Sequence, residues 1–341
     1  MTTFLMNRRE ALKTGAAIGL AGAGAALGAC ASNRSSTGAG GRASRAPRRA
    51  IRVAHLTDIH VQPERRAGEG LAACLKHVQE QPDRPQLILT GGDLIMDGFA
   101  QDEARTKIQW DMFTGAFRHG CSLRVEHTLG NHDIWGWNKG DSRTTGDEPR
   151  WGKKWAVEVL GLPERYRSFN LAGWHFIILD STHPDPRDPN GYIAKLDEAQ
   201  WDWLQRDLES VAASDAAARR STPVLIVSHI PIISATAFFY GRDPEALDKQ
   251  VSGGLMHVDA AKLRALFLKH RNVKLCLSGH MHEIDRVELE GVTYLCNGAV
   301  SGSWWKGRHR QCDEGYAVLD LFDDGSHRCE YVKYGWEAAP A

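Results

Sequence analysis

Residues 51–60 have the sequence IRVAHLTDIH, in which a run rich in apolar residues ends in an Asp and a His two positions apart. A run of this length followed by polar residues predicts a buried strand over 51–56. In open α/β sheets, ligands bind at the carboxyl ends of the strands. The stretch therefore predicts a strand whose end carries Asp58 and His60 as functional side chains.

Four further apolar runs precede a polar motif in the same way. The runs cover residues 87–89, 123–129, 224–227 and 273–277. The motifs that follow them are Gly91-Gly92-Asp93, Gly130-Asn131-His132-Asp133, Ser228-His229 and Gly279-His280-Met281-His282. Asp, Asn and His side chains thus recur at predicted strand ends, a pattern that indicates metal binding.

Strands and helices alternate between these motifs. The spacing of apolar residues predicts helices over 68–79, 102–118, 197–211 and 260–270, the second with Ile108, Met112 and Phe113 on its apolar side. After residue 284, short strands separated by Gly-containing turns predict an antiparallel continuation. The predicted fold class is α/β, a four-layer α-β-β-α sandwich of two mixed sheets flanked by helices, which forms one domain over 51–335.

The N-terminal residues predict export. Arg8-Arg9 and the uncharged Ala- and Gly-rich stretch after them resemble a twin-arginine signal, although a chance Arg pair in an ordinary secretory signal is the alternative. Leu27-Gly28-Ala29-Cys30 resembles a bacterial lipobox, so we expect residues 1–30 to be the signal and lipidated Cys30 to hold a periplasmic or cell-envelope protein on a membrane surface. The alternative is cleavage at Ala29-Cys30-Ala31, which would release a soluble protein. Residues 31–50 predict a flexible linker.

Charge and cysteine content narrow the choice of partners. The 42 basic residues balance 42 acidic ones, so the chain lacks the basic footprint of a nucleic-acid-binding protein, and no nucleic-acid partner is expected. The cysteines show no C-x-x-C spacing, which argues against a structural zinc site.

The ordered motifs D-x-H, G-D, G-N-H-D, H and G-H-x-H resemble those of the calcineurin-like metallophosphoesterase superfamily, over residues 51 to about 300. The resemblance implies a centre of two metal ions. The implied ligands are Asp58, His60 and His282 for the first metal, Asn131, His229 and His280 for the second, and Asp93 as the bridge. It also implies that His132 protonates the leaving oxygen and that Asp133 holds the His132 imidazole in its tautomer.

The chemistry of phosphoester hydrolysis fits such a set. The reaction needs a hydroxide nucleophile and relief of charge on the phosphoryl oxygens, and two metals about 3.5–4 Å apart supply both. Mixed oxygen and nitrogen ligands suit Mn, Fe or Zn, as divalent or trivalent ions. Taken singly, Asp58, Asp93 and Asn131 are more typical of turn or cap residues. It is their combination with the histidines that favours metal.

The substrate is predicted from aromatic residues close to the motifs. The pairs Trp135/Trp137 and Trp304/Trp305 either stack a nucleobase or organic leaving group, or belong to the rim or core. His309 either contacts a substrate phosphate or lies in a solvated charged loop. We expect hydrolysis of a phosphodiester or nucleotide-type pyrophosphate in a small-molecule substrate, by attack of a metal-bridging hydroxide.

Two alternative functions stay open. The first is a phosphomonoesterase, including a phosphoprotein phosphatase. The second is a non-catalytic surface binding protein that keeps a structural metal. The presence of His132, which has no ligand role in the resemblance, argues against the second alternative.

Overall fold

The computed structural model describes residues 46–219, 221–240 and 250–338. The predicted signal and lipobox, together with residues 31–45 of the predicted linker, lie outside these ranges. The first strand begins at Arg49, two residues before the predicted start of the domain. Within the described ranges, no helix is both long enough and apolar enough to cross a membrane.

The described part of the chain contains strands and helices in alternation. The strands are β1 Arg49–Leu56, β2 Leu87–Thr90, β3 Arg124–Glu126, β4 Arg167–Leu171, β5 Trp174–Ile178, β6 Thr182–Pro184, β7 Tyr192–Ala194, β8 Val224–Val227, β9 Val273–Ser278, β10 Asp285–Leu289, β11 Val292–Cys296, β12 Gly315–Phe322 and β13 His327–Lys333. The helices are α1 Ala67–Gln79, α2 Glu103–Gly120, α3 Lys139–Ser142, α4 Lys154–Val159, α5 Glu198–Ala218 and α6 Ala260–Lys269, with a 3-10 helix at Thr236–Phe239.

Two mixed sheets form the centre of the domain. The first has the order β13-β12-β1-β2-β3 and the second the order β10-β11-β9-β8-β5-β4, while β6 and β7 form a separate pair. β1, β2 and β3 run parallel, as do β5, β8, β9 and β11. The tail strands do not form one continuation, because β10 and β11 extend the second sheet whereas β12 and β13 extend the first.

Alternate side chains of β1 contact different layers. Ile51 and Val53 pack against residues of the second sheet, in a cluster that contains Phe176 and Leu225. Ala54 and Leu56, which point to the opposite face, pack with residues of α1 and α2. A third cluster joins the outer face of the second sheet to α5 and α6. Since side chains alternate across a strand, these clusters produce the predicted α-β-β-α layering, and the predicted fold class is confirmed.

Helix α2 differs from its predicted orientation. Its Asp102 cap accepts a hydrogen bond from the Arg105 amide at 2.9 Å, as expected for an N-cap. The buried stripe is formed by Trp110, Phe113 and Phe117, while Ile108 is 48% exposed. The assignment of Ile108 to the apolar side was therefore wrong, because the three aromatic residues at i, i+3 and i+7 determine which face the helix buries.

The parallel strands position the motifs. β3 is shorter than predicted, and the residues after Glu126 form a loop that leads to Gly130. β1, β2 and β3 end at one edge of their sheet, as β8 and β9 do in theirs. The two edges meet, since the backbone amide of His280 after β9 donates to the Asp58 carboxylate after β1, at 3.0 Å. All five motifs therefore lie at one place.

Candidate metal centre

Five of the seven predicted ligands have a left-handed backbone. The φ angles are 54° at Asp58, 46° at His60, 52° at Asp93, 69° at His280 and 53° at His282. This conformation costs a non-glycine residue about 1–2 kcal/mol. Such strain persists only where the surrounding structure imposes it, and it concentrates at functional sites.

One cluster joins the ends of β1 and β9. Ligand atoms of Asp58, His60 and His282 all lie within 4.8 Å of one another. His282 donates from Nδ1 to the Gly302 carbonyl at 2.5 Å, and its Nε2 lies 3.3 Å from Asp58 Oδ1. The Nε2 atoms of His60 and His282 are 3.1 Å apart. Three buried side chains thus converge on one point.

A second cluster joins the ends of β2, β8 and β9. Ligand atoms of Asp93, His229 and His280 also lie within 4.8 Å of one another. His229 donates from Nδ1 to the Gly91 carbonyl at 2.7 Å. Its Nε2 lies 3.2 Å from Asp93 Oδ2 and 3.1 Å from Asn131 Oδ1. Asn131, predicted as a ligand, is thereby brought to this cluster.

Asp93 lies between the two clusters. Its Oδ2 is 3.2 Å from His229 Nε2 in the second cluster and 3.6 Å from His60 Nε2 in the first. The carboxylate is buried, with 2% of the residue exposed. This is the position that the resemblance implies for a bridging ligand.

The side chains of the two clusters are suited to binding metal cations. A carbonyl can only accept, so the Nδ1 protons of His229 and His282 are fixed on Gly91 and Gly302. The neutral rings then turn acceptor Nε2 atoms towards the oxygens of Asp93, Asn131 and Asp58, which are acceptors too. Acceptors facing acceptors in a buried site need a cation or an added proton between them.

The crowding of buried polar groups also shifts the pKa values of the clustered histidines. Burial lowers the pKa of His280 to about 4 and that of His60 well below its ordinary value, which keeps both rings neutral, as metal ligation requires. For His229, burial also acts to lower the pKa, but the Asp93 carboxylate outweighs it and raises the pKa to about 9. A proton and a cation would therefore compete for His229 Nε2.

His132 is placed beside the first cluster and is partly exposed. Its Nδ1 donates to the Met96 carbonyl at 2.6 Å, and its backbone amide donates to Asp93 Oδ1 at 2.9 Å. Its Nε2 lies 3.9 Å from Asp93 Oδ2. The ring packs edge-on against that of His60, with 4.8 Å between centroids. The orientation leaves Nε2 as the ring nitrogen that faces the centre.

Asp133 does not hold the His132 ring, so that part of the predicted role is wrong. Its Oδ1 accepts from the Leu94 and Ile95 amides, at 2.8 and 3.2 Å, and its Oδ2 accepts from the Gly130 amide at 2.8 Å. Burial and the nearby Asp93 raise its pKa to about 7. Asp133 instead ties the loop after β3 to the loop after β2, and the Met96 carbonyl orients His132.

Several contacts of the centre had no clear signal in the sequence. The carbonyls of Gly91, Met96 and Gly302 each orient a histidine, and any residue type offers a carbonyl. Thr57 donates from Oγ1 to Asp58 Oδ2 at 2.6 Å. Its position directly before the first motif is the one clue that sequence could have supplied.

The four candidate tryptophans separate into two groups. Trp135 and Trp305 are buried core residues, with 3% and 1% exposed. Trp137 is partly exposed and packs against Phe99, with 6.1 Å between centroids. Trp304 is also partly exposed, and it packs directly on His282, with 4.5 Å between centroids.

The fold and the two clusters define the class of the protein, a metal-dependent hydrolase. The model of the calcineurin-like phosphoesterase family matches residues 51–283, and the chain belongs to that family. Family membership confirms the resemblance that the five motifs carried.

Known proteins resemble the chain in sequence or in fold. A 3′,5′-cyclic-nucleotide phosphodiesterase from Nostoc sp. is 25% identical over 304 residues, which cover 85% of this chain and 96% of the relative. The solved structure of a dimetal phosphatase from Danio rerio has a TM-score of 0.53 at 15% identity, covering 81% of this chain and 94% of the other. GAP50, the anchor in the inner membrane complex of Plasmodium, has a TM-score of 0.50 at 18% identity, with coverages of 84% and 85%. These two structures share the fold.

Proposed function

We propose that the protein is a phosphodiesterase that uses two metal ions and acts on a small organic substrate, through a phosphodiester or a nucleotide-type pyrophosphate bond. The observation that carries the proposal is the position of Asp93 between two clusters of buried acceptor atoms, at 3.2 Å from His229 and 3.6 Å from His60. A carboxylate shared by two clusters favours two ions over one.

Particular residues would hold each ion. One would be bound by Asp58, His60, His282 and Asp93, and the other by Asp93, Asn131, His229 and His280. Such ions, when bound, supply Lewis acidity towards the phosphoryl oxygens and activate water. Nitrogen and oxygen ligands without thiolate favour Mn, Fe or Zn.

His132 would provide the proton for the leaving oxygen. Water contributes the new P–O bond, the bond from phosphorus to the leaving oxygen breaks, and that oxygen takes a proton. Because the Nδ1 proton of His132 is fixed on the Met96 carbonyl, a second proton on Nε2 makes the ring an acid that faces the centre. General-acid assistance of this kind contributes about 10²–10⁴-fold.

Two observations support an organic diester as the substrate. The relative from Nostoc sp. is named a 3′,5′-cyclic-nucleotide phosphodiesterase, and it aligns with 85% of this chain. The partly exposed ring of Trp304 packs against His60 and His282, where an ester group would extend from the phosphorus. The contact offers the organic group of an ester an aromatic surface, which inorganic phosphate could not use.

The test is a comparison of two substrates with the same reporter. The described domain, stripped of metal and reloaded with Mn²⁺, should hydrolyse bis(p-nitrophenyl) phosphate with a higher kcat/KM than p-nitrophenyl phosphate. The metal-free protein is the control and should be inactive. Equal or greater activity on the monoester would favour the phosphomonoesterase alternative. Full Mn²⁺ binding without turnover of either ester would favour the non-catalytic one.

We also propose that the protein is exported and anchored in the cell envelope by lipid on Cys30. The support is the Arg8-Arg9 pair ahead of an uncharged stretch, and the lipobox-like Leu27-Gly28-Ala29-Cys30. Cys30→Ala should move the protein from the membrane fraction to the soluble fraction. A Cys30→Ala protein that stays with the membrane would contradict the anchor.

A further inference from the structure

Trp304 and His309 form a wall beside the candidate metal centre. The ring of Trp304 lies 4.5 Å from that of His282 and 5.9 Å from that of His60, measured between centroids. His309 meets Trp304 edge-on, at 5.7 Å and 87°. Both residues are partly exposed, so the wall borders both the ligands and solvent.

The position of Trp304 is imposed by its neighbours. Trp304 and Trp305 have φ angles of 52° and 65°, which bulky residues rarely adopt. Trp305 is buried, and its indole Nε1 donates to the His60 carbonyl at 2.9 Å. Trp305 therefore anchors the segment to the loop after β1, and Trp304 is held over the ligands of the first cluster.

His309 is held from behind by Tyr240. The Tyr240 hydroxyl lies 3.0 Å from His309 Nε2 and donates to Glu283 Oε1 at 2.6 Å. The Arg310 guanidinium lies over the Tyr240 ring at 4.2 Å and 3.3 Å from Glu283. A network of this kind fixes the ring plane of His309 before any substrate arrives.

The wall lies on the side where the leaving group would be. The His60 ring contacts His132 at 4.8 Å and Trp304 at 5.9 Å, so the proposed acid and the wall flank the same ligand. At the other end of the centre, His280 contacts the ring of its fellow ligand candidate His229 at 5.1 Å and that of Tyr192 at 6.5 Å. An ester oxygen that takes its proton from His132 therefore lies at the His60 end of the centre, which is also the end that Trp304 borders.

The segment around the wall is basic. Lys306, Arg308 and Arg310 are exposed, and Glu283 is the acidic partner of Arg310. An aromatic face beside cations suits a ligand that is both planar and anionic. Neutral aliphatic alcohols would gain little from either feature.

We infer that Trp304 and His309 form a leaving-group subsite that stacks the heteroaromatic base of a nucleotide. The inference rests on the proposed phosphodiesterase function and names its substrate class. It also gives the two tryptophans of this segment separate roles, because Trp305 anchors the segment and Trp304 touches the substrate.

The test compares Trp304→Leu with wild type on 3′,5′-cyclic AMP, which has a base, and on glycerophosphoethanolamine, which has none. Stacking on an aromatic side chain is strong enough to change affinity by about tenfold or more. We expect KM for cyclic AMP to rise at least about tenfold with kcat within about threefold, while kcat/KM for glycerophosphoethanolamine changes by less than about threefold. Trp304→Phe, which keeps a ring, should recover most of the lost affinity.

Two further measurements isolate the subsite. Trp203→Leu removes a partly exposed tryptophan from α5, on the outer layer, and should leave KM and kcat for both substrates unchanged. Equilibrium dialysis of the Mn²⁺-loaded protein with adenosine 5′-monophosphate should show at least about tenfold weaker binding for Trp304→Leu. Metal content is measured in parallel, and if Trp304→Leu loses metal, Trp304→Phe and His309→Ala are judged by the same dialysis.

The possible failures are distinguishable. Wild-type protein that binds Mn²⁺ and hydrolyses neither these two diesters nor bis(p-nitrophenyl) phosphate would overturn the proposed function, whereas turnover of bis(p-nitrophenyl) phosphate without turnover of cyclic AMP would overturn the subsite alone. If the wild-type protein hydrolyses both diesters, and the variants lose activity on both equally or lose none, the subsite alone would be overturned. A larger loss on glycerophosphoethanolamine than on cyclic AMP would assign the wall to an aliphatic headgroup instead of a base.

Discussion

Gly130→Ala should disable the candidate metal centre by displacing Asp93. A Cβ at this position would lie 2.2 Å from the Asp93 amide nitrogen and 2.1 Å from Asp93 Oδ1, whereas real Cβ atoms keep at least about 3.0 Å from such atoms. The φ of Gly130 is not left-handed, so backbone strain is not the reason. The clash arises instead because the loops after β2 and β3 approach each other closely.

The size of the effect follows from the clash. Because a backbone atom is involved, the two loops must separate by about 0.8 Å. Functional groups tolerate about 0.5 Å of displacement, and a misplacement of about 1 Å costs about 10²-fold in rate. We expect kcat/KM to fall about 100-fold with a clear loss of bound metal, and overpacking to cost about 1–3 kcal/mol of unfolding free energy.

Gly115→Ala is the matched control. Gly115 lies inside α2, and a Cβ there would have no atom within 4 Å. The same substitution should therefore stabilise the protein by about 0.5–1 kcal/mol and leave metal content unchanged. Metal analysis, kcat/KM on bis(p-nitrophenyl) phosphate and thermal unfolding would be measured for both variants. A Gly130→Ala protein that keeps its full metal content and wild-type kcat/KM would refute the reasoning.

Three further predictions concern individual histidines. His132→Ala should lower turnover about 10²–10⁴-fold while metal content stays at the wild-type value; a loss of metal would make His132 a ligand instead. Asp93 outweighs burial and raises the pKa of His229 to about 9, so metal uptake at pH 7 should release a proton, and metal affinity should rise with pH up to about 9. Calorimetry in two buffers of different ionisation enthalpy counts the released proton. A heat of binding that does not depend on the buffer would contradict the prediction. Burial lowers the pKa of His127 to about 4, so between pH 6.5 and 4 the unfolded chain binds a proton that the folded one does not, and stability falls as pH falls. Allowing for the partly exposed edge of the ring, the free energy of unfolding falls by about 2 kcal/mol at pH 4. His127→Phe should therefore unfold at a lower pH than wild type. An unchanged midpoint of acid unfolding would count against this prediction.

Local patterns predicted most of the elements in this chain. The apolar runs at 51–56, 87–89, 224–227 and 273–277 became strands, because short β-branched runs bounded by polar residues have few other ways to be buried. The prediction was poorer for β3, where three residues form the strand in place of seven. An apolar run carries no local mark of where its pairing ends.

Side-chain contacts were harder to predict than elements. The sequence placed Asp133 next to His132 in the chain, but adjacent residues in a loop point in different directions, and the Asp133 carboxylate bonds to the amides of Leu94, Ile95 and Gly130. The carbonyl that orients His132 belongs to Met96, thirty-six positions earlier. Such a contact depends on how two loops pack, which no local pattern records.

The sequence by itself determined the elements, the family and the set of candidate ligands, because strand runs and Asp, Asn and His motifs are local features of the chain. The tertiary structure decided which strands joined which sheet, how Asp93 came to lie between two clusters, and that Trp304 borders the centre while Trp305 lies in the core. Those outcomes depend on long-range packing. Trp304 and Trp305 are indistinguishable as a sequence pair, but in the fold the His60 carbonyl accepts a hydrogen bond from Trp305, while Trp304 packs on His282, a candidate metal ligand.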